Sequence, residues 1–279
     1  MQHSRELAGV AERLARVAAL AQPLCAKAIV KAGIVPGMRV VELGSRLGDL
    51  AFLVAERVGT SGHVLGIEED ERLVRIARAR AAQQRFAQVD FRAVKLDRLA
   101  PAQPVDAVIA RFYLGTRPNP VATIRRAAAL VCPGGRLVFV EWHFESMRWA
   151  QTGAYPELPL YTQFAAWTLE ALRRSGAHPA MGLGLVNAFA AGLPLPATRA
   201  ELRTVAGAGH PGYAFFEDLV RQLAPAIGPR AFAGAAEIAP DGLAARLERE
   251  IVAARGHAFL PMQVAAWTRT TEDSRDDRI

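Results

Sequence analysis

Two carboxylates and two glycines stand close together in an order that suits a nucleotide-like ligand. Glu42 closes the short β-branched run Val40-Val-Glu-Leu43, and Gly44 and Gly48 follow it four residues apart. Leu50, Leu53 and Val54 come next at helical spacing. This pattern predicts a strand, a tight turn and a helix, with the glycines letting backbone amides approach a ligand at the helix start. Glu68 ends a second strand-like run, His63 to Ile67. A carboxylate at that point commonly accepts the hydroxyls of a ribose. Each acid also has a plainer reading, Glu42 as a helix-capping carboxylate and Glu68 as a solvated strand end.

The elements that must hold these groups alternate. Arg5 to Ala32 predicts one or two helices interrupted at Pro23, and Gly33 to Gly37 a turn into the first strand, Arg39 to Leu43. Further strands are expected at His63 to Ile67, Val89 to Val94, Val105 to Ala110 and Arg136 to Glu141. Helices are expected at Asp70 to Arg85 and Pro120 to Val131, the latter stopped by Pro133-Gly-Gly135. Such alternation implies a parallel sheet covered on both faces, a doubly wound α/β architecture. Beyond Phe144 the pattern turns mainly helical, with two more candidate strands at Ala197 to Val205 and Phe259 to Thr270.

Composition narrows the function. The formal charge of +7 and a pI near 10.1 raise the question of nucleic acid, but only Lys27, Lys31 and Lys95 are lysines and the arginines are scattered. Arg72, Arg75 and Arg78 mark the solvated face of a helix, and no nucleic-acid partner is expected. Cys25 and Cys132 form no CxxC and have no histidine at ligand spacing, so neither a disulfide framework nor a metal site is expected. Charges at Arg5, Glu6, Glu12, Arg13 and Arg16 break up any leader-like apolar stretch, which points to the cytoplasm. Prolines 179, 194 and 196 interrupt the long uncharged segment Gly176 to Thr198, so no membrane span is expected. There is no G-x-S-x-G, no Walker loop and no paired-histidine motif.

The glycine spacing excludes the dinucleotide fingerprint G-x-G-x-x-G, two of whose glycines are missing here. Acid-x-Gly-x-x-x-Gly instead resembles the E/D-x-G-x-G-x-G motif of class I S-adenosylmethionine-dependent methyltransferases. GIVPGMRVVELGS, HVLGIEED, PVDAVIARFYL and LVCPGGRLVFVEW follow one another in that family's order over roughly Gly33 to His143. They look most like the small-molecule branch that includes the ubiquinone and menaquinone C-methyltransferases. The resemblance implies a Rossmann-like, seven-stranded sheet whose last strand is antiparallel, with an added mainly helical cap. The chain is then one methyltransferase domain over residues 1–279, with a cofactor-binding core at 33–143 and cap segments at 145–196 and 207–257.

Carried over position by position, the resemblance gives Glu42, Gly44, Ser45 and Gly48 the methionine part of S-adenosylmethionine and Glu68 its ribose. Leu96 and Asp97 flank the adenine, while Arg111 and Phe112 close the pocket. The chain departs from the pattern at three places. Arg46 replaces the central glycine, Glu69 stands where an apolar residue often packs on adenine, and Lys95 replaces a position that is often acidic. Arg46 has three readings: it points to solvent, it pairs with the cofactor carboxylate, or it blocks the site. Arg111 has a plainer reading as a surface strand-end residue.

Eight of the 20 aromatic residues, among them Trp142, Phe144, Tyr155, Tyr161 and Phe164, fall within the 29 residues from Phe139 to Trp167, which leave the fifth strand and enter the next helix. They predict an apolar pocket for a flat or greasy acceptor, or else a helix-on-sheet core. His143 is the expected proton acceptor, with Glu141 and Tyr113 as rivals and a structural histidine as the alternative. The expectation is methyl transfer to a small apolar or aromatic metabolite, such as a quinone or polyketide, releasing S-adenosylhomocysteine. A homo-oligomer is compatible with it. Rival expectations are a cyclisation or rearrangement with retained cofactor and a noncatalytic binding protein that has lost it.

Overall fold

The computed structural model describes residues 2–151, 156–227 and 238–271. They divide into two compact units, one of Met1–Glu141, Leu183–Arg199 and Val264–Ile279, the other of Trp142–Gly182 and Ala200–Gln263. Of residues 183–199, those to 196 belong to an expected cap segment and the rest to an expected strand. They join the first unit because Phe189 packs edge-on against Phe139 with ring centres 5.7 Å apart, and Arg125 Nε donates to the Ala191 carbonyl at 2.9 Å.

The first unit opens with α1 (Gln2–Lys31) and continues through β1 (Arg39–Leu43), α2 (Asp49–Val58), β2 (His63–Glu68), α3 (Glu71–Gln83) and β3 (Val89–Ala93). Then come β4 (Val105–Arg111), α4 (Pro120–Ala128) and β5 (Val131–His143). β1 lies at the centre, parallel to β2 through Val40↔Val64 and to β4 through Val40↔Ala107. Val40, Val41 and Leu43 are all buried, as a strand covered on both faces requires. Asp70 caps α3 by accepting from the Arg72 amide, and Asn119 caps α4, where Pro120 takes the first helical position.

Two expectations fail for identifiable reasons. Proline does not interrupt α1: Pro23 and Ala19, whose carbonyl loses its amide partner, are both exposed, so water can satisfy that carbonyl. The helix expected to Val131 ends at Ala128, and Val131 already pairs with Val105 as the first residue of β5. Pro133-Gly-Gly135 is therefore a bulge inside the strand, the register resuming at Ala107↔Arg136. Gly135 is required there, since a Cβ would meet the Cys132 carbonyl at 2.7 Å.

Downstream elements are α5 (Pro159–Arg174), α6 (Met181–Ala190), β6 (Ala197–Glu201), β7 (Thr204–Val205), α7 (Gly212–Ile227), α8 (Leu243–Ala253), β8 (Ala258–Phe259) and β9 (Met262–Arg269). The main sheet has seven strands in the order β3-β2-β1-β4-β5-β9-β6. β9 runs antiparallel to β5: the Gly134 amide donates to the Thr270 carbonyl and the Thr270 amide to that of Gly135, so the end of one strand meets the start of the other. β7 and β8 form a separate antiparallel pair.

The second unit has an aromatic core. Phe164 and Phe216 lie with ring centres 5.0 Å apart, and Tyr161 joins them at 5.8 Å from Phe216. The Tyr161 hydroxyl donates to the Phe259 carbonyl at 2.7 Å and accepts from the Phe259 amide at 3.2 Å. Among the described residues no helix is long and apolar enough to cross a membrane.

Candidate functional site

A cleft of about 200 Å³ opens in the first unit where β1, β2 and β4 end. Because β1 sends its chain towards β2 on one side and stands beside β4 on the other, this is the topological switch point of the sheet. Gly44 from the turn after β1, Glu68 and Glu69 from the end of β2, and Arg111, Phe112 and Tyr113 from the end of β4 line it. With Arg46, the structure thus brings together seven residues singled out as cofactor ligands or catalytic candidates.

The turn after β1 is built by two glycines with different duties. Gly44 has φ of 69°, and a Cβ there would lie 2.8 Å from Cδ2 of Tyr113, so only glycine lets that ring close over the turn. Gly48 does not line the cleft; its missing Cβ would lie 2.6 Å from Cζ of Phe91 and 2.9 Å from Cζ of Phe52. It serves helix-on-sheet packing. Arg80, which sequence reasoning missed, braces the same turn from α3 by donating to the Leu47 carbonyl at 2.6 Å and to Asp49 Oδ1 at 2.8 Å.

Arg46 holds the position of the absent central glycine in a left-handed conformation, φ 49°, that costs a side-chain-bearing residue about 1 kcal/mol. It does not point away to solvent; it lines the cleft. Burial lowers its pKa, Glu68 and Glu141 oppose that shift, and Arg111 and Arg117 add to it.

Flanking Gly44 in the chain are two buried oxygen atoms with no partner among the described residues, Glu42 Oε2 and Ser45 Oγ, whose residues do not themselves line the cleft. Burial pushes the Glu42 carboxyl up to about 8, although the Arg111 guanidinium opposes the shift. A neutral carboxyl can donate as well as accept, and an orphaned buried oxygen leaves hydrogen bonding for a ligand to complete. Glu68 is more committed than its position alone suggests. Oε2 accepts from the Arg46 amide at 3.1 Å, and Oε1 from the amides of Glu69 at 2.7 Å and Asp70 at 3.2 Å. With about four acceptor sites on a carboxylate, roughly one remains for a ligand hydroxyl.

The departures at positions 69 and 95 share a cause. Glu69 pairs with Arg117 at 2.9 Å and with Lys95 at 3.9 Å, and the Arg117 guanidinium lies 4.3 Å from the centre of the Tyr113 ring. The acid at 69 therefore holds a cation from the loop after β4, and Lys95 joins the same cluster. Leu96 is buried and Asp97 exposed on a short turn, Leu96–Arg98, and neither lines the cleft.

The candidate bases differ in surroundings. Glu141 is buried, with its oxygens on the amides of Tyr113, Leu114 and Gly115. Burial raises the Tyr113 pKa further above 10, so its hydroxyl keeps its proton at neutral pH. His143 belongs to the second unit, with Nδ1 3.3 Å from the Ala180 carbonyl. A hydrogen on Nδ1 would meet that carbonyl, and in the neutral ring the lone pair is then on Nε2. Of the residues expected at the acceptor pocket, Trp142 and Phe144 lie in the second unit almost fully covered, and Tyr161 and Phe164 are buried in its aromatic core. Tyr155 lies outside the described residues. The Cys25 thiol is buried and pushed up to about 11, which makes it unreactive.

Comparison with known proteins meets this geometry. Residues 34–164 match the family described as a methyltransferase domain. Over 143 residues the chain is 27% identical to a demethylmenaquinone methyltransferase of Lactococcus lactis, covering 50% of this chain and 51% of that one. It is 34% identical over 110 residues to a 2-phytyl-1,4-naphtoquinone methyltransferase of Synechococcus elongatus, covering 39% and 47%. The chain thus spans about half the length of these curated relatives. The fold matches the crystal structure of a putative methyltransferase from Bacillus halodurans at a TM-score of 0.57 and 16% identity, over 88% of this chain and 98% of that one. Sheet order and cleft position are thus joined by similarity to a methyltransferase domain over residues 34–164, a little under half of the chain. Over part of its length the sequence is also similar to those of quinone methyltransferases.

Proposed function

We propose that the protein transfers a methyl group from S-adenosylmethionine to a small, largely apolar or aromatic metabolite of the quinone or polyketide kind. The observation that carries this reading is the pair of orphaned buried oxygens, Glu42 Oε2 and Ser45 Oγ, which flank Gly44 in the chain after β1, whose end lies at the switch point of the sheet. An amino-acid moiety offers the donors and acceptors that would complete them. Glu42 and Ser45 would hold the methionine part, with Arg46 inside the cleft to pair with its carboxylate, and Glu68 would take one ribose hydroxyl.

When bound, the cofactor supplies the electrophilic methyl group. The chain's own part is to orient the acceptor, exclude water and accept a proton where the acceptor carries one. His143 is proposed for that proton, at Nε2, because its Nδ1 already faces a carbonyl. The acceptor class is supported by the similarity to quinone methyltransferases.

Calorimetric titration with S-adenosylmethionine and S-adenosylhomocysteine tests the reading. Micromolar binding of both is expected, and no binding of either would refute it. A second reading rests on Arg46, whose side chain lines the cleft: a noncatalytic protein whose site the arginine fills. Absence of binding in the wild type together with binding by Arg46→Gly would favour it.

A further inference from the structure

Glu141 has an arrangement that the transfer of a methyl group does not explain. It is 2% exposed and is the last residue of β5 that belongs to the first unit. Its Oε1 accepts from the amides of Tyr113 at 2.8 Å and Leu114 at 2.7 Å, and its Oε2 from Gly115 at 3.3 Å. Three consecutive main-chain donors can converge on one carboxylate because Phe112 takes φ of 53° and Leu114–Thr116 form a single helical turn whose first amides have no partner within it. The loop so gathered supplies Phe112, Tyr113, Thr116 and Arg117 to the cleft. Without the carboxylate, buried amides would face no acceptor, and each such loss is costly.

We propose that Glu141 is a positioning residue, which holds the loop 112–117 in the shape that forms one wall of the cleft and takes no proton from substrate. The proposal rests on the reading of this cleft as the cofactor site and deepens it by naming what fixes its wall. A carboxylate that already accepts from three amides is a poor base, because protonation would break the very bonds that place it.

The geometry has a pH signature. Burial pushes the Glu141 carboxyl up to about 7, while the amides of Leu114, Tyr113 and Gly115 and the charge of Arg46 hold it down. Arg46 faces it from the turn after β1, and Glu68, Arg111 and Arg117 surround Arg46. Glu42, pushed up to about 8, is the other buried carboxyl of the unit that titrates nearby. With Glu141 still buried in β5, its protonation on acidification through about 7 weakens its acceptance from the three amides and slackens the loop locally, although the buried neutral carboxyl favours the folded chain as a whole. Comparison with Glu141→Gln removes the contribution of Glu42, which both proteins share.

Hydrogen exchange read by mass spectrometry on the full, ligand-free chain tests this, with peptides covering 112–117 compared with peptides from β1 and β4. At about pH 8.5, Glu141→Gln should exchange ~10-fold faster at Tyr113 to Gly115 with β1 and β4 unchanged, as local opening predicts. Wild-type protection there, corrected for intrinsic rates, should fall towards the variant's near pH 6, and the variant should show no such fall. S-adenosylhomocysteine should bind the variant ~10-fold more weakly at about pH 8.5. Equal protection in the two proteins would overturn the proposal, as would weakened binding with the loop still protected. If the variant does not fold, the wild-type pH series decides, and pH-independent protection of Tyr113 to Gly115 would overturn it. Failure of the wild type to bind the ligand would instead refute the cofactor reading, while loop exchange still decides the role of Glu141.

Discussion

The buried Glu42 carboxyl makes folding stability depend on pH in an unusual direction. Its pKa moves from 4.5 to about 8, with burial as the largest cause. A carboxyl whose folded pKa is raised binds its proton more tightly folded than unfolded. It contributes stability that is full below 4.5 and is lost as pH rises through about 8. Movement of that size corresponds to roughly 5 kcal/mol between the two ends of the window. Glu141, moved from 4.5 to about 7, adds a loss of the same sign and similar order. Asp70, held at about 2 mainly by Arg72, titrates below this window and does not offset them. Urea denaturation at intervals between pH 5 and pH 9 measures the effect. The midpoint should fall steadily across the range, and Glu42→Gln should flatten most of the fall by keeping a neutral group at that position at every pH. Stability that is level or rising between pH 5 and pH 8 in the wild type would refute the argument, and so would a Glu42→Gln profile parallel to the wild type.

Glu68→Ala should weaken S-adenosylhomocysteine binding by about 2 to 4 kcal/mol, since one charged hydrogen bond to ribose and the bracing of three amides are lost together; an unchanged dissociation constant would remove Glu68 from the site. Arg46→Gly should raise the melting temperature by a few degrees through relief of about 1 kcal/mol of left-handed strain at φ 49°, without creating binding that the wild type lacks. Gly48→Ala should destabilise by roughly 3 kcal/mol in chemical denaturation, because a methyl group would meet Phe91 at 2.6 Å with φ at 84°. Full stability of that variant would show that α2 can slide away from β3.

Much of the cofactor half was legible because its signals are local. β1 to β4 follow from β-branched runs between glycine turns, and Glu42, Gly44 and Glu68 lie at strand ends that alternation alone locates. The bulge at Pro133-Gly-Gly135 was not legible as part of a strand, because Pro-Gly-Gly reads as a stop and only pairing with β4 shows that the strand resumes. The duties of Glu141 and Arg80 were hidden for another reason: their partners lie 26 to 33 positions away in the chain, and no local pattern reports such a bond. The aromatic run was visible, but whether it lines a cavity or fills a core depends on packing within the second unit.

The cluster of Glu69, Lys95 and Arg117 bears on how such a site can change over generations. Each of the first two residues, taken alone, departs from the family pattern in a way that looks like damage. Paired, they neutralise one another, with Arg117 spanning to the Tyr113 ring. Restoring an apolar residue at 69 by itself would strip the carboxylate from two cations at the cleft mouth, and restoring an acid at 95 by itself would set two carboxylates against one arginine. The route back to the common pattern therefore runs through less favourable intermediates. The three positions constitute an epistatic unit, in which the effect of any one substitution is decided by which residues already occupy the other two.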